Sequence, residues 1–147
     1  MFLVYADVLI ECLRGSVAAK TWLTSFQKEA VGIPVVVVME LLMGCRNKSE
    51  LDQTKKFLAA FNVIWPESSE FERDCELLLS LRLSTGLGIP DCLIASMALA
   101  RGARLYTFNL KHFQAVPGLD ARQPYYRHSI EPVWYKNLVT YEVFLAP

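Results

Sequence analysis

Short apolar runs along the chain alternate with longer stretches in which apolar residues recur at helical spacing. Phe2 to Tyr5 is an apolar run typical of a buried strand, and Val8 to Arg14 has helical spacing that stops at Gly15. A second amphipathic helix is predicted over 16–29. Ile33 to Val38 is continuous and rich in β-branched residues, which is typical of a strand covered on both faces. The opening of the chain therefore predicts a strand, two helices and a second strand.

The same alternation continues through the middle of the chain. The predicted elements are a helix starting at Met39, capped helices at about 49–61 and 69–84, a strand at 63–65, a helix from Ile89 to Gly102 and a strand over 103–108. Paired helices between successive strands predict an α/β fold with a parallel sheet and helices on both faces. After Gln114 the pattern weakens, and the aromatic-rich residues 130–147 have the composition of edge strands without a definite place.

Composition narrows the class of protein. The 147 residues include 15 basic and 15 acidic side chains and are 53% hydrophobic, which excludes a disordered chain and a polybasic nucleic-acid binder. No apolar run reaches the length of a membrane-spanning helix, so no membrane partner is expected. Four scattered cysteines without a CxxC pair argue against a zinc site and indicate a reduced, cytoplasmic protein.

Three carboxylates occupy positions where the pattern calls for apolar residues. Asp7 follows the first strand, Glu40 is the only charge between Val35 and Met43, and Asp91 opens an otherwise apolar helix. A buried carboxylate needs a capping role, a cationic partner or a metal ion. Ligands of parallel sheets gather at the carboxyl ends of the strands, where these acids are expected to meet. A hard divalent cation such as Mg²⁺ or Mn²⁺ fits three such carboxylates, although N-capping also explains Asp7 and Asp91.

Three blocks of sequence carry a family resemblance. They are Leu3-Val4-Tyr5-Ala6-Asp7-Val8-Leu9-Ile10-Glu11, Met39-Glu40-Leu41-Leu42-Met43-Gly44 and Gly88-Ile89-Pro90-Asp91-Cys92-Leu93-Ile94-Ala95 running on to Phe113. In this order and spacing the chain resembles the PIN-domain ribonucleases, particularly the VapC-type toxins of toxin–antitoxin pairs. The likeness covers about residues 1–125, which we expect to form a PIN-like three-layer α/β/α domain. Residues 126–147 are expected to be an extension packed on that domain or at an interface.

The resemblance implies an acidic pocket that binds Mg²⁺ or Mn²⁺ and hydrolyses RNA phosphodiester bonds. It assigns Glu40 and Asp91 as metal-binding acids and Asn109 to the position where many relatives have a fourth acid. The chain departs from the family at Tyr5, where the family's first metal-binding aspartate belongs. A phenol does not replace an ionised carboxylate, because its ordinary pKa is about 10. Asp7, two residues further on, is expected to orient or supplement the metal ligands.

Basic residues are concentrated after the last predicted helix. Residues 101–128 contain five arginine and lysine side chains against one aspartate. A basic rim beside an acidic pocket is suited to RNA phosphates, although an ordinary solvated surface has the same composition. The residues predicted to bind substrate are Arg101, Arg104, Lys111 and His112.

The sequence thus favours a metal-dependent endoribonuclease acting as a toxin, with RNA as substrate and with a cognate antitoxin and a second copy of the chain as protein partners. The alternative is a PIN module impaired by Tyr5 that binds RNA or an antitoxin without efficient cleavage. A small-molecule α/β enzyme is the third idea. The chain has neither a glycine-rich phosphate loop nor a Gly-x-Ser-x-Gly elbow to support it.

Overall fold

The computed structural model describes residues 1–127, in which short strands alternate with helices. The elements are β1 (Phe2–Val4), α1 (Ala6–Leu13), α2 (Val17–Thr24), β2 (Val31–Pro34), α3 (Val35–Met43), α4 (Lys48–Leu58), β3 (Asn62–Ile64), α5 (Ser68–Thr85), α6 (Ile89–Arg101), β4 (Leu105–Tyr106), α7 (Leu110–Phe113) and β5 (Ala121–Arg122). A 3-10 turn at Lys28–Ala30 precedes β2.

The five strands form one parallel sheet in the order β3-β2-β1-β4-β5. Leu3 in the central strand pairs with Gly32 on one side and with Leu105 on the other. The chain builds outward from β1 to β3 and then returns to the far side of β1, so right-handed crossovers put helices on both faces of the sheet. The predicted α/β fold is confirmed. The reversal of direction beside β1 is the place where parallel sheets bind ligands.

The prediction of a strand through Val38 is wrong. Strand β2 stops at Pro34, which is the N-cap of α3, and the four valines that follow are helical. Proline has no N–H for the next ladder bond, and its fixed φ suits a helix start. Val35 and Val37 are buried, so packing overrides their preference for strands. Glu40 therefore lies within α3 instead of near its start.

Several boundaries also differ from the predictions. Helix α4 is capped by Asn47, whose Oδ1 accepts from the N–H of Glu50 at 2.9 Å, and helix α5 begins after Glu67. The strand expected over 103–108 is only Leu105–Tyr106, and the pattern did not predict α7 or β5. The edge strands suggested for 130–147 and most of the extension 126–147 lie outside the described residues.

The core lies between the sheet and its helices. Among its fully buried side chains are Leu3, Leu9, Ile33, Ile94, Met97 and Leu105. Ala95 and Ala98 on α6 are buried too, and their small side chains let this helix approach its neighbours closely. No helix within residues 1–127 is both long enough and apolar enough to cross a bilayer.

Asp74 on α5 is a buried carboxylate outside the candidate site. Its side chain is almost fully buried, and its Oδ1 has no hydrogen-bond partner within residues 1–127. Burial raises the pKa of Asp74 from its ordinary 3.8 to about 6. The protonated form thus favours folding, and this contribution is complete below about pH 4 and is lost as the pH rises through 6.

Replacing Asp74 with asparagine is therefore expected to stabilise the protein above pH 7 by about 1–2 kcal/mol, because it removes an unpaired buried charge. Urea unfolding of the two proteins at pH 4 and pH 8 measures the effect. The difference in the free energy of unfolding should shrink at pH 4, where the carboxyl is protonated in the native protein. A difference independent of pH would contradict the assignment.

Candidate active site

Three carboxylates meet at the carboxyl edge of the sheet, next to β1. Asp7 is the second residue of α1, which follows β1 after one residue. Asp91 is in the first turn of α6. Glu40, from α3, is close enough that its charge interacts with both aspartates. The structure thus brings together the three acids that the sequence singled out, and they have different surroundings.

Asp91 is held by two donors. Its Oδ1 accepts a hydrogen bond of 2.6 Å from the hydroxyl of Tyr5, and its Oδ2 accepts from the backbone N–H of Gly88 at 3.3 Å. The second bond reaches back to the residue before α6, as a capping side chain does. Asp91 thus acts as a capping residue of α6, and the bond from Tyr5 also ties its other oxygen to the junction between β1 and α1.

Tyr5 is a neutral member of this cluster. It is half-buried, and its ring packs edge-to-face on Phe113 with 5.3 Å between centroids. Burial, the hydrogen bond to Asp91 and the nearby carboxylates raise the pKa of Tyr5 far above its ordinary value. The phenol therefore stays protonated and acts as a donor. It adds no negative charge to the site.

Asp7 supports the loop between β4 and α7. Its Oδ2 accepts from the Thr107 hydroxyl at 3.0 Å and from the N–H of Phe108 at 2.8 Å, and its Oδ1 accepts from the N–H of Val8 at 2.9 Å. The Thr107 hydroxyl in turn accepts from the N–H of Asn109 at 3.1 Å. Burial raises the pKa of Asp7, although these bonds oppose the shift. Its hydrogen bonds are those of a residue that positions Asn109.

Glu40 is the carboxylate with fewest interactions. Its side chain makes no hydrogen bond or ion pair with any residue in 1–127. Burial and the negative charges of Asp91 and Asp7 raise its pKa. A cation placed between Glu40 and Asp91 would relieve this repulsion. The carboxylate of Glu40, which has no partner within residues 1–127, is therefore the group at this edge of the sheet that most favours binding of a positively charged ligand.

The donor set fits a divalent cation that keeps water and substrate among its ligands. No group of three or more His, Cys, Asp or Glu side chains within the described part of the chain is arranged to hold a metal ion. Among the three acids, Glu40 accepts no hydrogen bond from residues 1–127, Asp91 accepts two and Asp7 accepts three, so Glu40 and Asp91 have the most oxygen lone pairs left for a cation. Mg²⁺ is commonly bound by one or two carboxylates together with water and phosphate.

Two of the predicted substrate-binding residues lie away from this cluster. Asp91 is in the first turn of α6, whereas Arg101 is the last residue of this helix, where it pairs with Glu70 and donates to the carbonyl of Trp65 at 3.2 Å. Arg104 precedes β4 and pairs with Asp120 at 3.0 Å. These two ion pairs join elements of the scaffold. The structure does not bring Arg101 and Arg104 to the carboxylates.

The other predicted residues follow β4 at the carboxyl edge. Asn109 is exposed, and its amide nitrogen lies 2.9 Å from Nδ1 of His112. Together with Lys111 they line an open cavity of about 400 Å³ that is completed by Ser84 and Thr85 from the end of α5. The structure thus separates the four basic candidates into two groups and leaves Lys111 and His112 beside the site.

Glu11, Tyr125 and Arg127 form a contact near the site that the sequence did not predict. The Tyr125 hydroxyl donates to Glu11 Oε2 at 2.5 Å, and Arg127 pairs with the same carboxylate. The Arg127 guanidinium also lies over the ring of Phe108, 4.5 Å from its centroid, and its charge lowers the pKa of Asp7. Glu11 is more than a hundred residues from both Tyr125 and Arg127, so no local pattern links it to them.

Comparison with known proteins agrees with this geometry. A model of the PIN domain family matches residues 3–119. Ribonuclease VapC10 of Mycobacterium tuberculosis is 37% identical over 115 residues, which are 77% of this chain and 86% of that protein.

Solved structures show the same fold. A chain of a toxin–antitoxin complex from Klebsiella pneumoniae is 26% identical with a TM-score of 0.70, and the match covers 86% of this chain and all of that one. VapBC2 from Rickettsia felis bound to a promoter DNA fragment matches with a TM-score of 0.71 at 23% identity, over 83% and 97% of the two chains. The family match, the identity to a ribonuclease and the shared fold agree: the chain belongs to the PIN-domain family, among ribonucleases of the VapC type.

Proposed function

We propose that the chain is a metal-dependent endoribonuclease that hydrolyses RNA phosphodiester bonds as the toxin of a toxin–antitoxin pair. The observation that carries the proposal is the unpaired Glu40 beside Asp91, at the point of the sheet where ligands bind. The similarity to a VapC ribonuclease supports the choice of RNA as substrate. The domain responsible is residues 1–125, which contain all the elements described above.

The residues of the site have different roles in the proposed reaction. A divalent cation, Mg²⁺ or Mn²⁺, supplies charge neutralisation and an activated water when it is bound. Glu40 and Asp91 hold it, and Tyr5 fixes the orientation of Asp91 through their 2.6 Å hydrogen bond. Asp7 holds the loop that carries Asn109, and the exposure of the Asn109 amide supports a role for it as a donor to a phosphate oxygen. Asp91 is thus supported from the junction between β1 and α1, and Asp7 is linked to the loop after β4.

Cleavage of labelled RNA by the purified chain tests this function. Cleavage is expected with Mg²⁺ or Mn²⁺ and should be lost when EDTA removes the metal, because two carboxylates without a cation provide no means of stabilising the transition state's charge. A preparation treated with EDTA and then given back Mn²⁺ is the control for irreversible damage. Cleavage that continues unchanged in EDTA would contradict metal dependence.

A second candidate function is an impaired PIN module that binds RNA or an antitoxin without efficient cleavage. Tyr5 favours it, because a neutral phenol stands where the family resemblance expects a carboxylate. The hydrogen bond from Tyr5 also occupies one oxygen of Asp91, which competes with metal binding. The two candidates differ in whether the cluster holds a cation tightly enough for catalysis.

Protein partners are part of the proposal. A cognate antitoxin is supported by the similarity to a chain from a toxin–antitoxin complex. A homodimer is supported by exposed apolar side chains on one helix, since Leu79 and Leu83 on α5 are 88% and 101% exposed. Light scattering on the purified chain tests the dimer directly, and a monomer mass would contradict it. The free thiols of Cys12, Cys45, Cys75 and Cys92 support a cytoplasmic location.

A further inference from the structure

The cavity beside the carboxylates has the chemistry of an anion site. Among residues 1–127 its lining side chains are those of Ser84, Thr85, Asn109, Lys111 and His112, and none of these is acidic. The Lys111 ammonium makes no ion pair within residues 1–127. The cavity has a volume of about 400 Å³, which is within the range of small-molecule binding sites. A cavity lined in this way favours a negatively charged ligand with a polar body.

The donors of this cavity are held in place. The Asn109 amide lies 2.9 Å from Nδ1 of His112, and an amide N–H donated to Nδ1 leaves the proton of the neutral ring on Nε2. The Thr85 hydroxyl is already used, since it donates to the carbonyl of Leu81 at 2.6 Å and accepts from the N–H of Leu87. The Ser84 hydroxyl donates to the same Leu81 carbonyl at 3.3 Å and keeps its lone pairs free to accept. The groups left for a ligand are therefore Lys111, the far nitrogen of His112, the second amide N–H of Asn109 and the acceptor lone pairs of Ser84.

The residues that line the cavity are also connected to the carboxylate cluster by hydrogen bonds and by a ring contact. Asp7 accepts from the Thr107 hydroxyl, which accepts from the N–H of Asn109, so the wall of the cavity is linked to the site by two hydrogen bonds. On the other side, Phe113 next to His112 packs on the ring of Tyr5, the donor to Asp91. These contacts join the residues that line the cavity to the residues that hold Asp7 and Asp91.

We propose that this cavity is a nucleotide subsite of the ribonuclease, which binds a phosphate of the RNA strand adjacent to the cleaved bond. Lys111 and the far nitrogen of His112 contact the phosphate, and Ser84 contacts the attached nucleoside. The inference rests on the proposed function for the identity of its ligand. It assigns to Ser84, at the end of α5, a part in substrate binding that no sequence motif indicated.

Salt dependence of RNA binding tests the contact made by Lys111. Fluorescence anisotropy of a labelled uridine oligonucleotide in EDTA measures binding by the full chain without cleavage. Replacing Lys111 with alanine is expected to weaken binding about five- to tenfold at low salt and to lower the slope of log K against log salt by about 0.7, the value for one phosphate on a single strand. Lys55 on α4 is exposed and gives a matched control. Equal effects of Lys111→Ala and Lys55→Ala would overturn the subsite.

Nuclear magnetic resonance tests the role of His112 separately. The chain has two histidines, so comparison with a His112→Gln variant assigns the ring signals. Addition of a uridine dinucleotide is expected to shift the His112 ring signals, while uridine alone has little effect because it lacks the phosphate. Absence of a shift, or an equal shift with uridine, would overturn the proposal. If the natural chain does not cleave RNA but the Lys111→Ala substitution still weakens RNA binding, the nuclease function is rejected. The subsite is retained in that case.

Discussion

Replacing Glu40 with glutamine is expected to lower the rate of RNA cleavage by about a thousandfold. Glu40 is the carboxylate of the cluster without a hydrogen bond or ion pair in residues 1–127, and glutamine has the same shape without the charge. A cation that stabilises charge in a transition state contributes several kcal/mol, and about 4 kcal/mol corresponds to three powers of ten. Single-turnover cleavage of labelled RNA in Mg²⁺ measures the loss.

The same substitution is expected to raise the melting temperature of the metal-free protein at neutral pH. Burial and the charges of Asp91 and Asp7 raise the pKa of Glu40, so the folded state favours its protonated form. The stability that this carboxyl contributes is complete below its ordinary pKa of 4.5 and is lost as the pH rises through its raised value. Glutamine carries no charge to repel, and the gain should disappear in acid.

The opposite signs of these two effects separate a functional residue from a structural one. Glu76 on α5 is exposed, and Glu76→Gln is a matched control that should change neither cleavage nor melting temperature. Wild-type cleavage by Glu40→Gln would remove Glu40 from the mechanism. A lower melting temperature for Glu40→Gln would show that its carboxylate stabilises the fold, contrary to the geometry.

Replacing Tyr5 with aspartate is expected to raise metal affinity and cleavage on the order of 10- to 100-fold, the range that one partner of a metal site commonly contributes. The substitution adds a carboxylate next to Asp91 and removes the phenol that donates to it. It also removes the edge-to-face contact with Phe113, so a loss of about 2 kcal/mol in stability is expected. Calorimetric titration with Mn²⁺ and the cleavage assay measure the gain.

Tyr5→Phe isolates the hydrogen bond from the charge. Phenylalanine keeps the ring on Phe113 and frees one oxygen of Asp91 without adding a carboxylate. A modest increase in metal affinity is expected for this variant, well below that of Tyr5→Asp. Equal cleavage by the natural chain and Tyr5→Asp would reject the impaired-module interpretation. Cleavage by Tyr5→Asp alone would reject efficient catalysis by the natural chain.

The sequence predicted the parts of the fold that depend on local signals. Gly102 has a φ of 56° and ends α6 as its position after the helical pattern indicated, because a left-handed residue there costs glycine little. Asp91 was identifiable as the one carboxylate in an otherwise almost wholly apolar helix, and Glu40 because it interrupts a long apolar run. The family resemblance then supplied the chemistry that connects the acids.

The features that the sequence did not predict depend on contacts between distant residues. Asp7 accepts hydrogen bonds from the Thr107 hydroxyl and the N–H of Phe108 across a hundred positions, so the residue that was expected to orient or supplement the metal ligands also supports this loop. Likewise, Arg101 was predicted to bind RNA from its charge. It pairs with Glu70 on α5 because the length of α6 separates Arg101, its last residue, from Asp91 in its first turn.

At the junction between β2 and α3, the number of residues in the chain is as important for the position of Glu40 as the identity of the residues. Because α3 begins directly after Pro34, no loop absorbs a change, and the direction of Glu40 is set by the number of residues that separate it from the strand. One inserted residue would turn Glu40 by about 100° around the helix axis and carry it away from Asp91. Insertions and deletions compatible with the site are therefore confined to regions beyond this junction, such as the connection between α3 and α4.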